Sequence, residues 1–262
     1  MSLPPDDPTP CIEVEEASVS FGPKHVLKGV TLRIARGETV AILGESGGGK
    51  TVFLKVMLGL LVPEPGRVRL LGVDVGALPE HQLGPIRARC SVVYQGGALF
   101  SGMNVGENIA LELKEVLHLP DDEIERRVRW SLEAVGLGDV NPSLSPHELS
   151  GGMKKRLSVA RAIAPKPEVI FYDEPTSGLD PLNSARILGL IDELHKSLHA
   201  TSVVVTHDLR GACKISDRIV LLSGGKIVFD GPPSKFVAST DPVVVAFRSS
   251  APGFDEPTAV IR

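Results

Sequence analysis

The sequence predicts an α/β protein: a mostly parallel sheet with helices on both faces, joined to an antiparallel β subdomain and a helical subdomain. Three observations carry this. From Gly151 onward, helix-like and strand-like stretches alternate, at 151–164, 168–172, 182–198 and 202–206. Residues 11–35 instead alternate apolar and polar, as in "IEVEEASVSF" and "VTLRI", the period-two pattern of half-buried antiparallel strands. Between the strand-like "CSVVYQ" at 90–95 and the strand beginning near Glu168 lies an insert of helical character, long enough to form a subdomain.

Taken in order, "ETVAIL" (38–43) is a short apolar run that enters a glycine-rich turn and then an amphipathic stretch from Lys50 to about Leu61. That is strand, loop, helix. "GRVRLLGVDV" (66–75) returns to strand character. The stretch from Asn104 to about Gly138 reads as helical, with Asp121 as a helix N-cap and Gly136 and Gly138 as the stop. Asp122/Arg126, Glu123/Arg127 and Glu125/Arg129 fall at i,i+4 in the acid-first order that suits a helix. Hairpin-like strands at 218–222 and 226–229 are split by Gly224 and Gly225. The opening "MSLPPDDPTP" is acidic, Pro-rich and without an apolar core, so residues 1–10 read as a disordered lead-in and not a signal peptide.

Bulk composition narrows the function classes. The chain has 262 residues, 42% of them hydrophobic, which allows a sizeable core. A formal net charge of −4 argues against a nucleic-acid binder working by bulk electrostatics, so no nucleic-acid partner is expected. Cys11, Cys90 and Cys213 are widely spaced and odd in number, which fits a reducing compartment and supplies no disulfide framework. No run approaches ~18 consecutive apolar residues, so the chain is expected to meet a membrane only as a peripheral subunit.

"GESGGGKT" at 44–51 matches G-x-x-x-x-G-K-[ST] and sits after a strand and before a helix, where its mechanism requires. Gly44, Glu45, Ser46, Gly47, Gly48 and Gly49 curl the backbone so that N–H groups face phosphate oxygens, and the helix N-terminus adds partial positive charge. Lys50 is placed to reach the β- and γ-phosphates, and Thr51 to offer a hydroxyl to Mg²⁺. The core is therefore expected to be a P-loop NTPase. "VIFYDEPTSGLD" (169–180) then ends an apolar run in two adjacent carboxylates. Asp173 is the second Mg²⁺ partner such a site needs, and Glu174 the general base that polarises the attacking water. "LSGGMKKR" (149–156) opens a helix with Ser150 at the N-cap and Gly151 and Gly152 after it, a second helix N-terminus suited to an anion.

With these residues in place, the chain resembles the ABC ATPase family, whose signature reads LSGGQ; here Met153 replaces the glutamine. The resemblance covers roughly 11–240 and implies roles for further residues. Phe21 resembles the aromatic that stacks on adenine, and Gln95 the glutamine that senses Mg²⁺ and the attacking water. Asp180, in "SGLD", resembles the D-loop acid, and His207, in "VVVTHD", the switch histidine that contacts the γ-phosphate. It also implies a head-to-tail homodimer closing over two ATP molecules, each held between one chain's Lys50 loop and the other chain's Ser150 loop. The expected organisation is a nucleotide-binding domain over 11–240, with its helical subdomain at about 96–165, and a C-terminal extension over 241–262.

A more local resemblance points to a load. "YQGGALFSGMNVGENIALEL" (94–113) is similar to the ATPase of Mla/Mce-type phospholipid transporters, with Gly96 in place of a serine, and "LSGGM" and "SLEAVGL" (131–137) agree. This implies a separate integral-membrane permease, an Mce-domain lipid-binding protein and a small STAS-domain protein as partners. The location implied is the cytoplasmic face of the inner (plasma) membrane. Leu99, Phe100 and Met103 would help form the groove for the permease's coupling helix, and the C-terminal extension would reach onto the neighbouring ATPase subunit. Two rival readings are the ATPase subunit of a small-solute importer and a non-transport ABC ATPase acting on ribosomes or DNA. The 94–113 stretch argues against the first. A single cassette without a long coiled-coil insertion argues against the second.

Overall fold

The computed structural model describes residues 10–251 and Phe254; apart from Pro10, the expected lead-in lies outside the described residues, as do 252–253 and 255–262 of the expected extension. In chain order the elements are β1 (Ile12–Phe21), β2 (Lys24–Ile34), β3 (Thr39–Gly44), α1 (Lys50–Met57), β4 (Arg67–Leu70), β5 (Val73–Asp74), α2 (Gly84–Arg87) and β6 (Cys90–Val93). There follow α3 (Val105–Glu115), α4 (Asp121–Ala134), α5 (Gly151–Ile163), β7 (Val169–Asp173), α6 (Pro181–Leu198) and β8 (Thr201–Val205). The chain continues with α7 (Leu209–Ile215), β9 (Arg218–Ser223), β10 (Lys226–Gly231), α8 (Pro233–Ala238) and α9 (Pro242–Ser249). Two compact units result, residues 1–86 with 201–262, and residues 87–200.

The first unit holds two kinds of sheet. The N-terminal alternation becomes an antiparallel sheet in the order β2-β1-β4-β5. The stretch read as one strand at 66–75 breaks into two, because Leu71 and Gly72 both take positive φ, 53° and 82°, and reverse the chain. The second sheet is built on β3, all six residues of which are buried. β3 runs parallel to β8 on one side and to β9 on the other, and β10 adds antiparallel to β9. Parallel neighbours share a direction, so the loops following β3 and β8 leave the sheet at the same edge.

Against this sheet packs a cluster in which Ala41 and Leu43 of β3 and Ile219 and Leu221 of β9 meet Leu209, Ala212, Cys213, Phe236, Val244 and Phe254. Burial, then the Asp208 charge, pushes the Cys213 thiol up to about 11, so it stays protonated as a core residue. α9 belongs to the stretch expected to reach a neighbouring subunit, yet Val244 is fully buried in its own unit. Arg248 reinforces this by donating to the carbonyls of Phe236 and Val237. Prolines stand at the first helical positions here, Pro233 in α8 and Pro242 in α9, where a missing N–H costs nothing.

In the second unit β6 and β7 pair in parallel, Val93 opposite Tyr172. β7 is buried throughout, and burial raises the Tyr172 hydroxyl pKa far above its ordinary value. The helical stretch 104–138 holds two helices, α3 ending at Glu115 and α4 opening at Asp121, and α5 completes the insert. The N-cap of α4 is Pro120, in an extended conformation, and Asp121 is the first helical residue. Asp121, Asp122 and Glu123 then place acids in the first turn, facing the positive end of the dipole. All three anticipated i,i+4 pairs form, each at 2.8 Å. Glu123 also bonds Arg126 at 2.7 Å.

The connection entering α3 is organised by one polar side chain, Asn108, which is fully buried. Its Oδ1 accepts from the Phe100 N–H at 2.8 Å, and its Nδ2 donates to the carbonyls of Phe100, Met103 and Asn104. Asn104 adds a reciprocal capping box with Glu107. Replacing Asn108 by leucine strands those backbone groups, and chemical denaturation should show a loss of about 2–3 kcal/mol. A second expectation concerns pH. Hydrogen bonds from Arg127 and then Arg126 hold Glu123 down to about 2, so its stabilisation is present above the ordinary carboxylate range and is lost as pH falls through about 2. The melting temperature of Glu123→Gln should therefore lie below wild type at pH 7, with the gap closing as acid is added.

Candidate nucleotide-binding and hydrolysis site

Within the first unit, β3 delivers the chain to the glycine loop. Gly44 pairs with Leu222 of β9, and a Cβ at Gly44 would lie 2.4 Å from the Leu222 carbonyl oxygen, so no larger residue fits. Gly47 and Gly49 take φ of 75° and 96°, turning the loop back toward α1. A Cβ at Gly49 would press on Val26 of β2 at 3.1 Å, whereas one at Gly47 would meet nothing within 4 Å. Lys50 opens α1 and is only 7% exposed. Its ammonium donates to the carbonyls of Gly44 at 2.7 Å and Glu45 at 3.0 Å, which holds it over the loop.

The first-turn amides of α1 have no carbonyl of their own helix to bond. Together with the Lys50 ammonium and an open face at Gly47, they form a cradle that suits phosphate oxygens. Thr51 is exposed on that first turn. His207 follows β8 and is exposed at the sheet edge that the glycine loop also occupies. Asp208 beside it caps α7 by accepting from the Gly211 N–H at 2.9 Å. Phe21 ends β1 with its ring 54% exposed, an apolar face open to stacking.

The second unit carries the acids. Asp173 is the last residue of β7 and is buried, and Glu174 follows in the left-handed region at φ 49°. A non-glycine residue there costs of order 1–3 kcal/mol and persists only where its surroundings hold it. Gln95 follows β6, so it leaves the parallel β6–β7 pair at the same edge as the acids. Its Nε2 donates to Ser177 Oγ at 3.0 Å. The Thr51 hydroxyl and the Asp173 carboxylate are each hard oxygen donors, the ligand type that Mg²⁺ accepts.

Ser150 is the N-cap of α5, as expected, accepting from the Met153 N–H at 3.3 Å. Gly151 is open on its outer side, whereas a Cβ at Gly152 would lie 3.2 Å from Asn183 Oδ1. Gly152 thus serves close packing of α5 on α6 as well as any anion. Asp180 has a structural duty of its own. It caps α6, accepting from the N–H groups of Leu182 and Asn183 at 3.0 Å, and the bonds from Asn183 hold its carboxyl below the usual range.

Sequence reasoning passed over three residues that organise this unit: Lys155, Ser177 and Asn108. Lys155 donates to the Gln95 carbonyl. The only sign of it in the sequence is the basic run Lys154-Lys155-Arg156 directly after the signature, which is indistinguishable from a solvated helix face.

Known proteins of similar sequence and fold give the chain a family. The ABC transporter family matches residues 27–177. The intermembrane phospholipid transport system ATP-binding protein MlaF of Haemophilus influenzae is 38% identical over 236 residues, 90% of this chain and 89% of that protein. A probable ribonucleotide transport ATP-binding protein, mkl, of Mycobacterium leprae is 39% identical over 90% of this chain and 68% of its own length. Among solved structures, the dimeric ATP-binding cassette MJ0796, in a post-hydrolysis state bound to ADP and Pi, superimposes with a TM-score of 0.77 at 29% identity, covering 85% of this chain and 98% of that one. With a family match across more than half its length and these loops at its strand ends, the chain belongs to the ABC transporter family and is an ABC ATPase.

Proposed function

We propose that this chain is the ATP-hydrolysing subunit of a membrane transporter that moves phospholipids between membranes. The observation that carries the cargo assignment is the 38% identity to MlaF, which runs across 90% of the chain and is not confined to the nucleotide motifs. Lys50 and the amides of the 44–51 loop bind the β- and γ-phosphates, and Phe21 stacks on the adenine. Thr51, Asp173 and Gln95 would hold Mg²⁺, which would supply positive charge to offset that of the phosphates. Glu174 takes a proton from the attacking water, and His207 contacts the γ-phosphate. Ser150, Gly151 and Gly152 close on the nucleotide of a second copy in a head-to-tail homodimer, with Asp180 at the same seam. The dimeric state of the superimposable cassette supports this arrangement.

In this reading residues 11–240 are the nucleotide-binding domain, about 96–165 its helical subdomain, and 241–262 an extension. A separate integral-membrane permease supplies the path, as the likeness to a phospholipid transport ATP-binding protein suggests; among the described residues no helix is long and apolar enough to cross a membrane. Phe100 is 48% exposed, and Leu99 and Met103 are only partly covered, which supports a role in receiving a permease helix. An Mce-domain protein and a STAS-domain protein complete the proposed complex, at the cytoplasmic face of the inner membrane. A second reading, a small-solute transporter, is favoured by the name of the mycobacterial relative.

Glu174→Gln should retain ATP binding while hydrolysis falls by about 100-fold or more, measured by phosphate release. Near-wild-type turnover would sink the general-base assignment. Isolated from native membranes in ATP, the same variant should bring down a permease and an Mce-domain protein, identified by mass spectrometry. A small-solute-binding protein in their place would move the chain to the second reading. Lys50→Ala removes a charge-assisted contact to phosphate, so ATP affinity should drop about tenfold or more by equilibrium titration.

A further inference from the structure

α5 opens at Ser150, and five residues on, a rise of about 7.5 Å, it carries Lys155. The Lys155 ammonium is half-buried and donates to the carbonyl oxygen of Gln95. Burial lowers its pKa, while the carboxylates of Glu174 and then Asp173 act in the other direction, so both acids lie within its field. One turn and a half further along, Arg161 donates to the carbonyls of Gly97 and Ala98 at 3.0 and 2.6 Å. Both of those loop residues hold positive φ, 74° and 46°. Two cations of one helix therefore grip the 95–98 segment by its backbone, and the Gln95 side chain in turn donates to Ser177, whose N–H donates to the Glu174 carbonyl at 3.1 Å.

We infer that Lys155 is a positioning residue for hydrolysis, holding Gln95, and through Ser177 the backbone of Glu174, in register on the helix that begins at Ser150. The inference rests on the assignment of Glu174 and Gln95 to the hydrolytic step. A backbone carbonyl of Gln95 anchored to α5 leaves the Gln95 side chain to swing from a fixed hinge. The Gln95 side chain is itself tied to Ser177 at 3.0 Å, and Ser177 to the Glu174 carbonyl, so a shift of the 95 backbone is passed to the acid. Neither contact touches the Lys50 loop, so loss of Lys155 should act on turnover and not on nucleotide affinity.

The test uses the full chain, with ATP affinity and steady-state hydrolysis measured on four proteins: wild type, Lys155→Met, Lys155→Arg and Glu174→Gln. Lys155→Met should lower kcat by about 30–100-fold while ATP affinity stays within about twofold, because misplacing reactive groups by a fraction of an ångström costs rate rather than binding. Lys155→Arg keeps both donor and charge and should recover kcat to within about threefold of wild type. A Lys155→Met kcat within about twofold of wild type overturns the inference. So does a parallel loss of affinity and kcat that arginine fails to rescue, since that marks a role in folding alone. Glu174→Gln separates the two claims. Its inactivity beside an unaffected Lys155→Met removes only the positioning role, whereas wild-type hydrolysis by Glu174→Gln removes the base assignment and the inference together.

Discussion

Parallel strand pairing is the constraint on which the chemistry of this protein depends. Because β3 and β8 run the same way, the glycine loop and His207 emerge from one edge of their sheet. Because β6 and β7 run the same way, Gln95 and the acids Asp173 and Glu174 emerge from one edge of theirs. An antiparallel neighbour at either place would send one partner to the opposite end of the strands. Parallel pairing in turn demands helical crossovers and burial on both faces, and the runs Val40–Leu43 and Val169–Tyr172 are accordingly buried throughout.

The residues at those strand ends do structural and chemical work with the same atoms. Gly44 is required by the Leu222 carbonyl as much as by any phosphate. Lys50 satisfies the carbonyls of its own loop, which keeps a buried ammonium solvated by protein and aimed along the loop. Asp180 and Ser150 are helix caps before they are anything else. A cap places a polar side chain and unbonded amides at one surface point, so a fold made of capped helices brings candidate anion sites with it. Glu174 is different: it is a non-glycine residue in the left-handed region, and strain of that kind accumulates at working residues.

The helical subdomain shows how a connection is made firm without regular structure. Residues 95–104 are held by donors from Lys155 and Arg161 and by the buried amide of Asn108. Most of these bonds end on backbone carbonyls, so they specify the path of the chain and place few demands on the side chains it displays. Phe100 can therefore remain half exposed on a loop whose backbone is fixed. On the other unit the C-terminal helices bury Phe236 and Val244, joined by Phe254 beyond them, in the cluster with β3 and β9.

Read alone, the sequence determined the features that depend on neighbours along the chain. The 44–51 loop, the Ser150 cap, the three ion pairs of α4 and the alternation of strand with helix are all set by residues within about one or two helical turns of each other. It misjudged the same features where a local conformation redirected the pattern, as at Leu71–Gly72, where the strand breaks, and at Pro120, which takes the cap position from Asp121. Tertiary structure alone decided what distant segments do to one another. Lys155 meeting the carbonyl of Gln95, 60 residues away, leaves no periodic or compositional trace. Nor does the packing of α9 on β9, or the left-handed Glu174, since φ there is imposed by surroundings that the chain assembles only on folding.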